Sequence, residues 1–286
     1  DDNMKARKKN VPFMATRGER IFYKINNVFM LILIVITVYP MLYVVFCSFS
    51  DPDAYAFQMG RLLLRPAGFS IQGYRTIVSM NTIWQGYRNT LMYVGLGTSI
   101  SMLITIMGAF ILSHRDFMLK RITMALVVFT MYFSGGMIPT YFVLKDMGLL
   151  NTVWVLIIPV LVGPYNLVIS RSYFENSIPE ELYEAAIVDG AGIFRYYHQF
   201  AIPLAVPVLA VMVLNFALGH WNSYFNAMIY ISNDNIQTLQ VFIKRITSQA
   251  TATLDSGEVS AEQMIESIRK TQLLKYAVVV VSSVPM

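Results

Sequence analysis

Long apolar runs separated by short polar turns set the pattern of this chain. Residues 28–47 carry no charge over a stretch close to the ~20 residues that a bilayer-crossing helix needs. That run is too long for the core of a typical signal peptide, and no small-residue cleavage site follows it cleanly. It predicts a retained first helix, kinked at Pro40. Further runs cover residues 87–113, 122–143, 153–169 and 203–231, and a last one starts at residue 273. Ser134-Gly135-Gly136 and Pro139 interrupt the third run, as a break in a helix or as tight packing. The fourth holds Pro159, Gly163 and Pro164, and the fifth is long enough to be tilted or broken. The last reaches Met286 too soon to cross a bilayer, so it is expected to be cut short.

The segments between the runs are mixed or polar. Residues 50–88, with Asp51-Pro52-Asp53, Arg65-Pro66, Gly68, Gly73 and Trp84, predict a loop with short interfacial helices. Residues 232–272, with Asp255-Ser256-Gly257-Glu258, predict a loop with some amphipathic helix. No fixed-period repeat or low-complexity segment is found. The expectation is an all-α membrane protein with six transmembrane helices, one membrane domain over residues 1–286.

Composition strengthens that picture. The 286 residues are 56% hydrophobic and 14% charged, against about 25% charged for a soluble domain, and the mean hydropathy is +0.52. The net charge of +5 does not point to nucleic acid, because the basic residues form no patch interleaved with aromatics. Lys5, Arg7, Lys8, Lys9, Arg17, Arg20 and Lys24 instead flank the first run, which places residues 1–24 in the cytoplasm by the positive-inside rule. Arg115, Lys120 and Arg121 mark the 113–121 turn as lying on the same side, whereas the 144–151 turn has only Lys145. Alternation then puts residues 171–202 in the cytoplasm and 232–272 outside.

The lone Cys47, within an apolar run, excludes an intrachain disulfide and a multi-cysteine metal site. His114, His198 and His220 lie on different segments without ligands at suitable spacing, so no metal site is expected. The 18 methionines are scattered and read as packing. Gly95-Leu96-Gly97 lies inside a run, where it fits helix packing, and no G-x-x-x-x-G-K-[ST] stretch is present.

Residues 171–202 are the one polar segment of their length between long runs in the second half. Ser177-Ile178-Pro179-Glu180 has the form of a capping box with proline in the first turn, so a helix should begin there. Glu180, Glu181 and Glu184 suit its positive end. Ile178, Leu182, Ala185 and Asp189 fall on a narrow face, and Asp189-Gly190 is a stop signal. A second, aromatic-rich helix follows, with Phe194, Tyr196, Tyr197 and Phe200, ahead of Pro203. Read physically, this is a short helix, a turn and a second helix lying along the membrane surface, either an anchor for the fold or a contact for a partner.

Glu184-Ala185-Ala186, then Gly190, then Ile202-Pro203 resembles the EAA loop of permease subunits of binding-protein-dependent ABC importers. Asp189-Gly190-Ala191 is similar to the form common in the sugar-importing branch, while Phe200 and Ile202 stand where isoleucine and leucine are usual. Gly219-His220-Trp221-Asn222-Ser223-Tyr224-Phe225 resembles the polysaccharide-type subgroup. The resemblance implies the type I importer permease fold in a bacterial plasma membrane, with the loop as a cytoplasmic coupling helix. Glu184, Ala185, Ala186, Asp189, Gly190, Ala191 and Pro203 would then serve contact with an ATPase. It implies a heterodimer with a second permease, two ATP-binding subunits that carry ATP and Mg, an external solute-binding protein and an oligosaccharide substrate. This chain would be no enzyme and would hold no cofactor of its own.

Asn215, His220, Trp221, Asn222 and Tyr224 are candidates for the substrate path, because polar residues in a span face protein or a water-filled route. Aromatic rings stack on sugars and amides hydrogen-bond hydroxyls. The competing readings are an interfacial aromatic belt for the 220–224 group and an interhelical hydrogen bond for Asn215. The rival functions are an ABC importer of a non-sugar solute and an ion-driven transporter. The latter expects ionisable residues inside spans, where only Arg88 and Lys275 are found, near run ends.

Overall fold

The computed structural model describes residues 17–51, 54, 62–114, 116–252 and 274–283. The chain forms two units, divided after Ile71. In the first, α1 (Arg17–Ser48) begins with charged and polar residues and is apolar around its whole circumference from residue 28 onward, with Leu31 and Ile36 well exposed. A helix hydrophobic on every side belongs in lipid or in a large core. Past its end the backbone folds back through a single bridge between Ser50 and Phe69. The Ser50 hydroxyl accepts from the Ala67 N–H at 3.0 Å, and the Tyr39 hydroxyl accepts from the Leu63 N–H at 3.0 Å.

The second unit is organised around a helix of 33 residues, α3 (Asn81–Ser113), which follows the short α2 (Gln72–Ser79). After it come α4 (Lys120–Tyr132), α5 (Met137–Asp146), two 3₁₀ turns (Val153–Leu156, Ile158–Val160) and α6 (Pro164–Ser177). The polar segment holds α7 (Glu180–Val188) and α8 (Ile193–Tyr196). A π turn (Tyr197–Ala201) and a helical turn (Ile202–Leu204) lead into α9 (Val206–Trp221). The remainder is α10 (Tyr224–Tyr230), α11 (Leu239–Ala252) and α12 (Leu274–Ser283). Among the described residues no strand forms, and α9, α6 and α11 pack on α3.

Small and polar residues on α3 make that packing close. A Cβ on Gly86 would come within 2.9 Å of the Leu239 Cα, so only glycine lets α11 approach there. Asn89 donates to the Asn235 and Gln237 carbonyls at 2.8 and 2.9 Å, and the Thr90 hydroxyl accepts from the Leu239 N–H at 2.9 Å. Tyr93 adds a bond to the Ile236 carbonyl at 2.8 Å. Three side chains on one helix thus pair the Asn235, Ile236 and Gln237 carbonyls and the Leu239 N–H of this turn, as backbone groups in a low-dielectric setting require.

Among the described residues two helices, α1 and α3, are long and apolar enough to cross a membrane alone. Three bent pairs there pass the same test together: α4 with α5 at 119°, the 3₁₀ turns with α6 at 46°, and residues 193–204 with α9 at 79°. Each bend has a covalent cause. Gly136 adopts φ +82°, which side-chain-bearing residues rarely reach. Pro164 starts α6 at a fixed φ, and Pro203 and Pro207 each remove a backbone donor on either side of Ala205.

Several expected boundaries move. The fourth run continues as α6 to Ser177, so residues 171–177 of the polar segment belong to that helix. The capping box does not form: Ser177 closes α6, and Pro179 stands at the N-cap without a side-chain cap bond. Proline at 179 disfavours helical geometry at Ile178, which is extended at φ −108°, ψ 114°. The fifth run divides at Asn222-Ser223 into α9 and α10. Asp255-Ser256-Gly257-Glu258 and the basic residues Lys5 to Lys9 lie outside the described residues.

Candidate functional site

The end of α7 is closed by a complete Schellman motif. Gly190, at φ +77°, donates to the Ile187 carbonyl at 2.9 Å, and the Ala191 N–H donates to the Ala186 carbonyl at 2.9 Å. Ala186 and Ala191 are both buried in the same apolar cluster, the contact that accompanies this motif. The helix therefore turns sharply and fixes the direction of α8.

Burial decides which face of the loop is presented. Leu182, Tyr183, Ala186 and Ala191 pack inward with Tyr196, Tyr197 and Ala201. Glu184, Ala185, Asp189 and Gly190 are exposed, together with Ile187 and Ile193, and Val188 and Phe194 reach 86% and 73% exposure. The sequence reading placed Ala185 and Ala186 together as a surface for close approach. The structure separates them, Ala185 outward and Ala186 inward, because adjacent helical residues point about 100° apart. Val188 and Phe194 were missed; in an amphipathic pattern they are indistinguishable from inward residues. Pro203 is exposed beside the bend.

Beneath α7, aromatic rings link it to the bundle. The Tyr183 ring lies 4.8 Å from the His114 imidazole and 5.0 Å from Tyr196, and His114 lies edge-on to Phe110 at 4.7 Å. Burial pulls the His114 imidazole below its ordinary range, opposed by the charges of Asp116 and Glu180 and assisted by Lys120. Beside it, one Glu175 oxygen accepts from Lys120 at 2.6 Å and from Arg171 at 2.7 Å.

A cavity of about 360 Å³ lies between the 3₁₀ turns, α6, α9 and α10. Asn215, His220 and Asn222 line it, joined by Asn166, Ser223 and Asn226. Asn215 donates to the Asn166 side-chain oxygen at 3.2 Å, so amides from α6 and α9 meet at its wall. Asn166 and Asn226 were missed, although an amide inside the fourth apolar run is the kind of signal that marks a polar route. His220 is 3% exposed, its imidazole seated directly on Gly97 of α3, where any Cβ would overlap the ring.

The structure does not bring Trp221 or Tyr224 to that wall. Trp221 is 5% exposed and packs with Ile77, Ile83, Leu239 and Ile243. Replacing it with alanine should cost about 3–5 kcal/mol, the range for deleting a buried aromatic. The check is the melting midpoint of the purified protein in detergent, expected to fall by several degrees; an unchanged midpoint would mean that Trp221 does not pack in this core.

The described residues thus form a bundle of broken helices with an exposed helix–turn–helix. No protein-family profile matches the chain. Relatives do. Protein LplC of Bacillus subtilis is 32% identical over 271 residues, covering 95% of this chain and 90% of that protein. The polygalacturonan/rhamnogalacturonan transport system permease protein YtcP of Bacillus subtilis is 33% identical over 267 residues, with 93% and 91% covered. The crystal structure of a bacterial ABC transporter involved in the import of the acidic polysaccharide alginate superposes with a TM-score of 0.83 at 30% identity. That match covers 95% of this chain and 94% of the other. The chain belongs to the sugar ABC transporter permease family and is a membrane-embedded transport subunit.

Proposed function

We propose that this permease carries an oligosaccharide or polysaccharide fragment through the amide-lined cavity, driven by an ATPase that docks on α7. The observation that carries the reading is the outer face of the loop. The closed turn there leaves Glu184, Val188 and Phe194 exposed among the described residues, an acidic group accompanied by large apolar side chains. The relatives YtcP and the alginate importer are named for polysaccharides, which supports a carbohydrate cargo. Amides at Asn166, Asn215, Asn222 and Asn226 supply both donors and acceptors for sugar hydroxyls.

In this reading residues 1–286 are a single membrane domain of six spans, with α1, α3, the bent pairs and the run containing α12 as the crossings. The amino terminus and α7 face the cytoplasm, and the 232–272 segment faces the exterior. A second permease completes the pathway, two ATP-binding subunits bind ATP and Mg, and an external binding protein delivers the substrate. The chain itself hydrolyses nothing and needs no cofactor.

Two variants in a reconstituted importer separate the parts. Asn215→Ala should lower uptake about two- to tenfold through lost hydrogen bonding, in step with substrate-stimulated ATP hydrolysis. Glu184→Ala should lower uptake relative to the ATP consumed. Wild-type behaviour of both would contradict the path and the docking face.

A further inference from the structure

The sharpest polar construction that transport has not yet absorbed lies under α7, where Glu175 joins three helices. One of its oxygens, Oε1, receives Lys120, the first residue of α4, and Arg171 from α6. The same two cations also cap α3: Lys120 donates to the Ser113 carbonyl at 3.1 Å, and Arg171 Nε donates to the Leu112 carbonyl at 3.2 Å. Those carbonyls belong to the last turn of α3, where they have no donor within the helix and carry the negative end of its dipole. Two cations drawn to one helix end would repel each other, and the Glu175 carboxylate between them removes that conflict.

The position of this knot matters because it borders α7. A cavity of about 310 Å³ opens between it and the ends of α3 and α6, bordered by His114, Glu175, Pro179, Glu180, Tyr183 and Tyr196. A displacement of α7 therefore reaches the bundle by two described routes. One is the Tyr183–His114–Phe110 ring contact with α3. The other is the covalent link through Ile178-Pro179 into the end of α6, where Glu175 sits one turn back.

We propose that Glu175 is a positioning residue for transport: it clamps α4 and α6 onto the end of α3, so that motion of α7 moves three helices as one block. This rests on the reading of α7 as the ATPase contact. Stability alone does not call for the construction, since partly exposed ion pairs of this kind contribute little to folding. The mechanical account and the stability account thus predict different results. Loosening the clamp lets α6 swing without carrying α3 and α4, and ATP is hydrolysed with less movement of substrate.

The test uses the full importer, with both permeases, ATP-binding subunits and binding protein, in proteoliposomes. Substrate transported per ATP hydrolysed is measured alongside the melting midpoint and subunit assembly. Glu175→Gln should lower that ratio about fivefold, within the range that residues remote from both sites exert on coupling, with assembly and melting kept. Glu175→Asp, which retains the charge, should recover much of the ratio. Lys120→Gln, which leaves the Arg171 pair, should give a smaller loss in the same direction. A wild-type ratio in Glu175→Gln, or a fall in melting with the ratio unchanged, overturns the proposal. Glu184→Ala, run in parallel, separates the two levels. If it uncouples while Glu175→Gln does not, the clamp alone fails; if neither uncouples, the docking reading fails with it.

Discussion

Replacing Gly190 with proline should abolish substrate-stimulated ATP hydrolysis in the assembled importer while leaving the protein in the membrane. Gly190 holds φ at +77°, and proline is locked near −65°. The substitution also deletes the N–H that bonds the Ile187 carbonyl at 2.9 Å, so the Schellman closure is lost from both sides. Without it α7 has no fixed end, Ala191 leaves its place beside Ala186, and the direction of α8 is released. Alanine is the milder probe: it can enter the left-handed region at a cost of about 1–2 kcal/mol, and nothing lies within 4 Å of where its Cβ would be. A graded series, with glycine above alanine above proline in stimulated hydrolysis, is expected. Equal activity across the series would show that the turn's geometry is immaterial to the ATPase.

The second large effect is expected deep in the bundle, at Gly97. The His220 imidazole lies so close that an added methyl group would overlap the ring itself. The obstacle is a rigid ring with 3% exposure, not the tip of a flexible chain, so relief requires α3 and α9 to part. Overpacking of this kind costs about 1–3 kcal/mol or more. Gly97→Ala should therefore lower the melting midpoint, and Gly97→Leu should prevent assembly with the partner subunits. Gly97→Ala with His220→Ala should restore the midpoint in large part, because the overlap is relieved. Wild-type melting in Gly97→Ala alone would mean that His220 does not rest on α3. Gly95, two residues away, has open space around it, so Gly95→Ala is the matched control and should be neutral.

Much of the architecture was legible because membrane helices announce themselves by length. The runs at 28–47 and 87–113 became α1 and α3 with little change. A break was one of two readings open at Ser134-Gly135-Gly136, and Gly136 takes it at φ +82°. The fifth run is long enough to be tilted or broken, but neither its 79° bend beside Ala205 nor the 46° bend before Pro164 was placed by the sequence, and the size of each bend was not readable from it. The stop at Asp189-Gly190 was readable from glycine's access to positive φ, and it holds in full.

What failed to show was direction. Helical spacing alone could not tell that Ala186 turns in while Ala185 and Val188 turn out, because loops with apolar residues on several sides carry no single face. Trp221 illustrates the same ambiguity: an aromatic near a span's end fits a belt, a sugar platform or a core, and burial against Ile77 and Leu239 selects the last. The Lys120–Glu175–Arg171 knot was out of reach for a different reason. Arg171 and Glu175 are an i,i+4 pair, but Lys120 lies 55 residues before Glu175, and only the fold brings it to them.

The central claim is that the outer face of α7 meets an ATP-binding subunit. A photo-crosslinking residue at Val188, which is 86% exposed beside Glu184, tests it directly in the assembled importer. Illumination should join this chain to the ATP-binding subunit at Val188 and not at the control position Phe225 on the cavity wall. Failure to capture that subunit from Val188, with capture from Phe225, would contradict the account.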